Sequence, residues 1–121
     1  MKDNLTIKDM MEMQDELNLQ HRERWGERTV EDGRSYILWM MAELGEVIDI
    51  IKKKNEDAII NDSIVREAFV EEMADVLMYF NEVCLSYSID AQELSFAYQS
   101  KHKKNMRRDF KKDNDEFLSK K

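Results

Sequence analysis

Hydrophobic residues recur three or four positions apart along most of the chain, which is the spacing of one face of an α-helix. The pattern predicts four amphipathic helices, and the polar segment NEDAIINDS between the second and the third is predicted to be a loop. Residues 111–121 form a charged C-terminal tail that we expect to fray. The predicted helices run from about Thr6 to Gly26, Arg34 to Lys54, Asp62 to Tyr87 and Asp90 to Arg108.

The second and third helices carry wide apolar stripes, and amphipathic helices joined by short loops are typical of an antiparallel bundle. The stripe of the second helix consists of Ile37, Met40, Met41, Leu44, Val47, Ile48 and Ile51. The stripe of the third consists of Phe69, Met73, Val76, Leu77, Phe80, Val83 and Cys84. We therefore expect an all-α, four-helix antiparallel bundle-like domain over residues 1–110. Because a chain of 121 residues is small for such wide stripes, we expect oligomerisation to complete the bundle.

The composition supports an all-α fold and limits the classes of partner. The chain has no proline and three glycines, and 37 % of its residues are charged. The net charge of −7 argues against nucleic-acid binding, because phosphates repel it. Cys84 lies among apolar residues, so we expect a buried thiol in a reducing, cytoplasmic protein. No apolar run reaches the roughly 18 residues of a membrane span, so we expect no membrane association.

Two acidic residues of the second helix lie where an exposed face is not expected. At about 100° per residue, Glu43 and Glu46 share a flank of this helix. The same flank carries Tyr36, Trp39 and Ile50, which a solvent-facing surface would not normally collect. This flank is therefore predicted to be a second, partly covered face, on which Trp39 is a candidate for packing against a base or a ribose.

The third helix repeats the arrangement with Glu72, Asp75 and Tyr79, which lie three and four positions apart in one line. Four carboxylates that converge between two helices would repel one another, and a hard divalent cation is the natural remedy. Mg²⁺ prefers oxygen ligands, with Mn²⁺ as the alternative ion. A di-iron redox bundle would need Glu-x-x-His motifs, which the sequence lacks. From the spacing alone, a metal site and a solvated acidic face both stay open.

Three motifs in this order resemble those of the MazG-like nucleotide pyrophosphohydrolases, a superfamily of all-α NTP pyrophosphatases. The first two are Glu43-Leu-Gly-Glu46 and Glu72-Met-Ala-Asp75, the second continuing as ADVLMYF with Tyr79 in the place of the family's tyrosine. The third is KHKKNMRR, which is similar to the family's C-terminal motif through Lys101, Asn105 and Arg108. The resemblance extends from about residue 37 to residue 108.

The resemblance implies hydrolysis of a nucleoside triphosphate, ribose or deoxyribose, to the monophosphate and pyrophosphate with Mg²⁺. It implies that Glu43, Glu46, Glu72 and Asp75 hold the metal, and one of the first two is our candidate general base. Trp39, Tyr79, Lys101, Asn105 and Arg108 are the candidate substrate-binding residues, with Trp25 and His21 as weaker candidates for base contact. Such proteins are commonly homodimers or homotetramers, with the nucleotide near the subunit interface.

Two alternatives to nucleotide clearance stay open at this point. One is a helical interaction or accessory protein without enzymatic activity, because nothing in the apolar stripes excludes it. The other is a pyrophosphohydrolase that acts on a phosphoribosyl-nucleotide intermediate. The sequence selects neither the base nor the sugar of the substrate.

Overall fold

The structure, a computed structural model, describes residues 1–120. All its regular secondary structure in this range is helical, so the all-α prediction is confirmed. The helices are α1 (Ile7–Gln20), α2 (Arg22–Trp25), α3 (Val30–Asn61), α4 (Ser63–Ser86), α5 (Ala91–Arg107) and α6 (Phe110–Ser119).

Helix α1 begins at a capping box and ends earlier than the sequence predicts. The Thr6 hydroxyl accepts a hydrogen bond from the Asp9 amide at 3.0 Å, and the Asp9 carboxylate accepts one from the Thr6 amide at 2.9 Å. The helix was predicted to continue to Gly26. Instead it stops before His21, which leaves helical geometry (φ −105°, ψ 13°), and the short α2 follows.

Helix α3 is longer than predicted at both ends. It begins at Val30 rather than Arg34, because Thr29 and Asp32 form a second capping box. It also continues to Asn61, so the predicted NEDAIINDS loop is wrong. The helix is kinked there at Asn55 (φ 68°, ψ 166°), whose side-chain oxygen accepts a hydrogen bond from the Ala58 amide at 3.1 Å. Asparagine tolerates positive φ and caps helices well, so one residue both breaks the helix and restarts it.

Helices α3 and α4 form an antiparallel hairpin. At the closed end, Asp62 caps α4 by accepting the Ile64 amide at 3.0 Å, and an Arg66 guanidinium nitrogen lies 3.5 Å from the Ile59 carbonyl. At the open end, Gly33 of α3 lies against the ring of Tyr87 after α4. The pairing of early α3 residues with late α4 residues establishes the antiparallel direction.

The chain divides into two compact units, the first covering Met1–Asp90 and the second beginning at Ala91. The second unit contains α5 and α6, so residues 111–119 of the tail that was expected to fray form a helix, while Lys121 lies outside the described residues. Asp109 caps this helix by accepting the Lys112 amide at 3.0 Å. The predicted division into a domain of residues 1–110 and a tail stays a prediction. No helix within residues 1–120 is both long enough and apolar enough to cross a membrane.

The first unit has a thin apolar core, to which Cys84 belongs as predicted. Its side chain is 5 % exposed, and burial raises the pKa of its thiol. The other buried apolar side chains are those of Met11, Val47 and Ile59, while Gln14, Asn18, Asn81, Glu82 and Ser86 are buried polar residues. So small a core gives limited hydrophobic stabilisation to a single chain.

Much of the apolar pattern predicted as core lies on the surface of the single chain. We define the apolar stripe as Ile37, Met41, Leu44 and Ile48 of α3 with Met73, Leu77 and Phe80 of α4. These side chains are between 37 % and 61 % exposed. At 100° per residue, both halves of the apolar stripe point to one side of the hairpin and the acidic flanks point to the other. The hairpin therefore has two faces of opposite character.

Gly33→Ala should destabilise the protein, because a Cβ at this position would lie 2.6 Å from the Tyr87 ring. Overpacking of this kind costs about 1–3 kcal/mol, against about 1 kcal/mol gained in helix propensity. We expect a lower free energy of unfolding in urea. In a Tyr87→Ala background the same substitution should become stabilising, and a stabilising effect in the wild-type background would contradict the close contact.

Candidate active site

Three of the four predicted metal ligands converge between α3 and α4. Glu43 and Glu46 project from consecutive turns of α3, and Glu72 projects from the antiparallel α4. One carboxylate oxygen of each lies within 4.8 Å of those of the other two. A separation of this order allows one cation to be shared by three oxygen donors.

The carboxylates are close enough to perturb one another. The negative charge of Glu72 raises the pKa of Glu46, with further increases from a hydrogen bond to Glu72 and from desolvation. The close approach of the Glu43 carboxyl, desolvation and the charge of Glu43 raise the pKa of Glu72. The Oε2 atom of Glu72 is buried without a hydrogen-bond partner among the described residues. A buried carboxylate oxygen that lacks a donor is unusual and favours a positive ligand.

Asp75, the fourth predicted ligand, lies next to this cluster but not among the three converging oxygens. Its charge contributes to the raised pKa values of Glu46 and Glu72, which places it near both. It also lines a cavity together with Glu43. The structure thus brings all four acids to one face of the hairpin, where Asp75 lies at the cavity.

The cavity adjoining the acids has a volume of about 520 Å³ and carries three packed aromatic rings on its α3 and α4 wall. The Tyr36 and Trp39 rings meet edge to face at 5.6 Å, and the Tyr79 ring lies 6.2 Å from each of them. Desolvation raises the pKa of both tyrosines, so their hydroxyls stay protonated at neutral pH. Predicted substrate residues Trp39 and Tyr79 therefore share a space with Glu43 and Asp75.

Trp25 also lines this cavity, at the end contributed by the segment after α1. Its ring packs on the imidazole of His21, with the ring centres 4.5 Å apart. The tryptophan was a weaker candidate for base contact in the sequence, and the structure places it 50 % exposed at the cavity. His21 supports the ring and is not among the residues that line the cavity.

Another part of the cavity lining belongs to a buried polar network that the sequence did not predict. Glu82 of α4 is 4 % exposed, and its Oε1 accepts hydrogen bonds from the amide nitrogens of Gln14 (3.0 Å) and Asn18 (2.8 Å). Arg28 donates to the same carboxylate through Nε (3.1 Å to Oε2) and one terminal nitrogen (3.2 Å to Oε1). Another terminal nitrogen of Arg28 donates to Asp15 at 2.7 Å.

Arg28 is the residue that ties this wall together. Burial opposes its charge, but the hydrogen bonds to Glu82 and Asp15 outweigh burial and raise the pKa of the guanidinium. One side chain from the loop before α3 thus links α1 to α4. The spacing of Gln14 and Asn18 by one helical turn was the only sign of this network in the sequence, and polar residues at that spacing usually face solvent.

Comparison with protein-family models matches residues 31–111 to the MazG nucleotide pyrophosphohydrolase domain. The match covers more than half of the 121 residues, including α4, α5 and nearly all of α3. The chain belongs to this family. The resemblance read from the sequence is therefore confirmed at the level of the MazG family. Comparisons with curated proteins and with solved structures give no match.

The third MazG-like motif lies in the second unit of the chain. Lys101 and Asn105 are on α5, whereas Arg108 follows the last residue of that helix. The Arg108 guanidinium donates a hydrogen bond to Asp113 of α6 at 2.8 Å. The contact of these three residues with substrate stays a prediction.

Glu72→Gln should stabilise the metal-free protein, because it removes one of the repelling charges. The raised pKa of Glu72 means that the folded state binds its proton more tightly than the unfolded state. The wild type therefore loses stability as the pH rises through this pKa. In EDTA at constant ionic strength, we expect the melting temperature of Glu72→Gln to exceed that of the wild type at pH 7 and the difference to shrink as the pH approaches 4.

Glu71→Gln, on the same helix at an exposed position, is the matched control and should show little of this pH-dependent difference. A Glu72→Gln variant that is less stable than the wild type at pH 7 would contradict the convergence of the carboxylates.

Proposed function

We propose that this MazG-family protein hydrolyses nucleoside triphosphates to the monophosphate and pyrophosphate, and that it does so with Mg²⁺ in the clearance of nucleotides. The observation that carries the proposal is the position of three glutamates, within 4.8 Å of one another, at the edge of an aromatic cavity. The acids suit a cation with its phosphates, and the rings suit a nucleoside. Family membership supports the reaction class.

The donor set fits a hard divalent cation. All three converging atoms are carboxylate oxygens, and the buried Oε2 of Glu72 lacks a hydrogen-bond donor. Glu43, Glu46 and Glu72 would hold Mg²⁺, with Asp75 as the fourth proposed ligand and Mn²⁺ as the alternative ion. When bound, the cation supplies the positive charge that lets an acidic site accept a polyphosphate.

Hydrolysis itself needs a water molecule, a base and a leaving group. The oxygen of a water attacks the α-phosphorus, the bond from that phosphorus to the bridging oxygen breaks, and pyrophosphate leaves with the electron pair. Glu43 or Glu46 accepts the proton that the water loses. Both carboxylates are on the α3 side of the cluster, where they can orient a water towards the phosphate.

The nucleoside part of the substrate is proposed to occupy the aromatic cavity. Trp39 and Tyr79 offer ring surfaces beside Glu43 and Asp75, so a base held there would direct its phosphates to the acids. Lys101, Asn105 and Arg108 are proposed to contact phosphate oxygens, for which cationic and amide donors are suited.

Replacing Glu46 or Asp75 with alanine should reduce turnover by at least about 100-fold, because each removes an oxygen donor from the proposed cation site. The measurement is pyrophosphate release from a panel of ribose and deoxyribose triphosphates with Mg²⁺, together with a phosphoribosyl-nucleotide substrate. Circular dichroism checks that the helices are retained.

Glu71→Ala, an exposed acid adjacent to Glu72 in the sequence, is the matched control and should keep wild-type turnover. Full activity in both the Glu46 and Asp75 variants would eliminate the mechanism. A wild type that hydrolyses none of the substrates, with a melting temperature indifferent to Mg²⁺, would favour a helical interaction protein instead.

We also propose that the protein is a homo-oligomer, a homodimer or a homotetramer, in which the apolar stripe is covered by a second copy. The stripe combines side chains of α3 and α4 on the face opposite the acids, and it is free of charged residues. A contiguous apolar surface beside a thin core is typical of an interface between identical subunits.

Leu77→Glu, at 43 % exposure in the apolar stripe, should shift the protein towards the monomer and lower its melting temperature, because the charge would be buried at the interface. Light scattering coupled to size-exclusion chromatography measures the mass. Ile64→Glu, an exposed apolar residue of α4 outside the stripe, is the control and should leave the mass unchanged. A wild-type protein of monomeric mass at micromolar concentration would refute the proposal.

A further inference from the structure

The buried wall of the aromatic cavity contains several groups that accept hydrogen bonds. Gln14 and Asn18 are 7 % and 8 % exposed, both line the cavity, and both direct their amide nitrogens to Oε1 of Glu82. A carboxylate accepts and cannot donate, so the orientation of each amide is fixed by its partner. The nitrogen of each amide donates one of its two N–H groups to Glu82.

The remaining polar atom of each amide is its carbonyl oxygen. Neither oxygen accepts a hydrogen bond from any residue of the described range 1–120. Neither oxygen is completely enclosed by protein atoms. Each oxygen therefore keeps contact with accessible space, and the cavity is the space that both residues line. A buried acceptor in this position needs a donor from a ligand or from water.

Glu82 adds further acceptor capacity to the same wall. It lines the cavity, and its Oε2 receives only the Nε donor of Arg28, although a carboxylate oxygen has room for two. Arg28 is held by Asp15 on its other side, so the carboxylate is fixed in orientation as well as in charge. Two amide carbonyls and a carboxylate thus form an acceptor-rich surface.

We propose that this wall selects a base with an amino group at C4 of a pyrimidine or C6 of a purine, cytosine or adenine, over the base with a keto group at that position. The inference rests on the proposed function, since it takes the aromatic cavity to be the nucleoside site. The amino group of cytosine donates two hydrogen bonds, which suits acceptors from Gln14, Asn18 and Glu82. Uracil presents a carbonyl oxygen at the same position, which cannot donate a hydrogen bond to these acceptors.

The size of the preference follows from the cost of an unmatched acceptor. A base edge that offers an acceptor where a site requires a donor loses at least about 10-fold in affinity, and discrimination per paired contact reaches about 100-fold. A base bound in the cavity displaces the water that would otherwise donate to these acceptors, so a mismatched base leaves them without a hydrogen bond. The protein should therefore discriminate between nucleotides that are identical in shape.

Binding of the product monophosphates tests the inference without any need for turnover. Titration of CMP and UMP with Mg²⁺, followed by the fluorescence of Trp25 and Trp39 or by calorimetry, should give at least about 10-fold tighter binding of CMP. Turnover of CTP against UTP, of dCTP against dUTP and of ATP against ITP should show the same order in kcat/KM. Equal affinity for CMP and UMP, or tighter binding of UMP, would overturn the inference.

Asn18→Leu and Gln14→Leu keep the approximate volume of the side chain and remove the acceptor. Each should reduce the ratio of CMP to UMP affinity towards one, mainly because CMP binds more weakly. Gln20→Leu, the same type of change at an exposed position of α1, should keep the wild-type ratio. Persistence of the wild-type ratio in folded Asn18→Leu and Gln14→Leu proteins would also overturn the inference.

Different experimental results would contradict the proposed function and the proposed base selectivity. Triphosphate hydrolysis without base discrimination would leave the proposed function standing and remove this inference. Failure to hydrolyse any triphosphate would remove the proposed function, while the CMP and UMP titrations would still decide whether the wall selects an amino base.

Discussion

Mutual repulsion among carboxylates is the constraint around which the first unit is organised. Glu43, Glu46 and Glu72 are brought together by two long helices, each of which is fixed along most of its length by the other. The raised pKa values of Glu46 and Glu72 indicate an electrostatic cost at this place in the metal-free protein. A structure that keeps like charges together in spite of that cost is poised to gain free energy when a cation arrives.

The cavity beside the acids combines two kinds of wall with different physical roles. The α3 and α4 side offers aromatic surface, which accepts flat ligands without much regard to their hydrogen bonds. The second kind of wall is the network in which Glu82 of α4 and Arg28 hold Gln14 and Asn18 of α1 in defined orientations. In the proposed nucleoside site, we expect the ring surface to supply affinity and the oriented acceptors to supply selectivity. Arg28 belongs to this network: its side chain is only 18 % exposed, and it links α1 and α4 instead of facing solvent.

The sequence predicted those features that depend on local periodicity. The pairs Glu43 with Glu46 and Glu72 with Asp75 were found because residues three apart share a helix face, and Cys84 was correctly predicted to be buried. The kink at Asn55 was missed because a polar stretch reads as a loop even where an asparagine restarts the helix. The network around Glu82 was missed because it joins residues 64 and 68 positions apart, and periodicity carries no information on such pairings.

The two-faced hairpin has a consequence for how the chain tolerates changes in length. An added residue in the turn between Asn61 and Ser63 leaves the faces of both helices where they are. An added residue in the middle of α3 rotates everything after it by about 100° about the helix axis. Such a rotation would carry acidic side chains out of the cavity side and disturb the apolar side at the same time. Natural relatives of this protein should therefore differ in length at the turns and keep the interiors of α3 and α4 free of insertions.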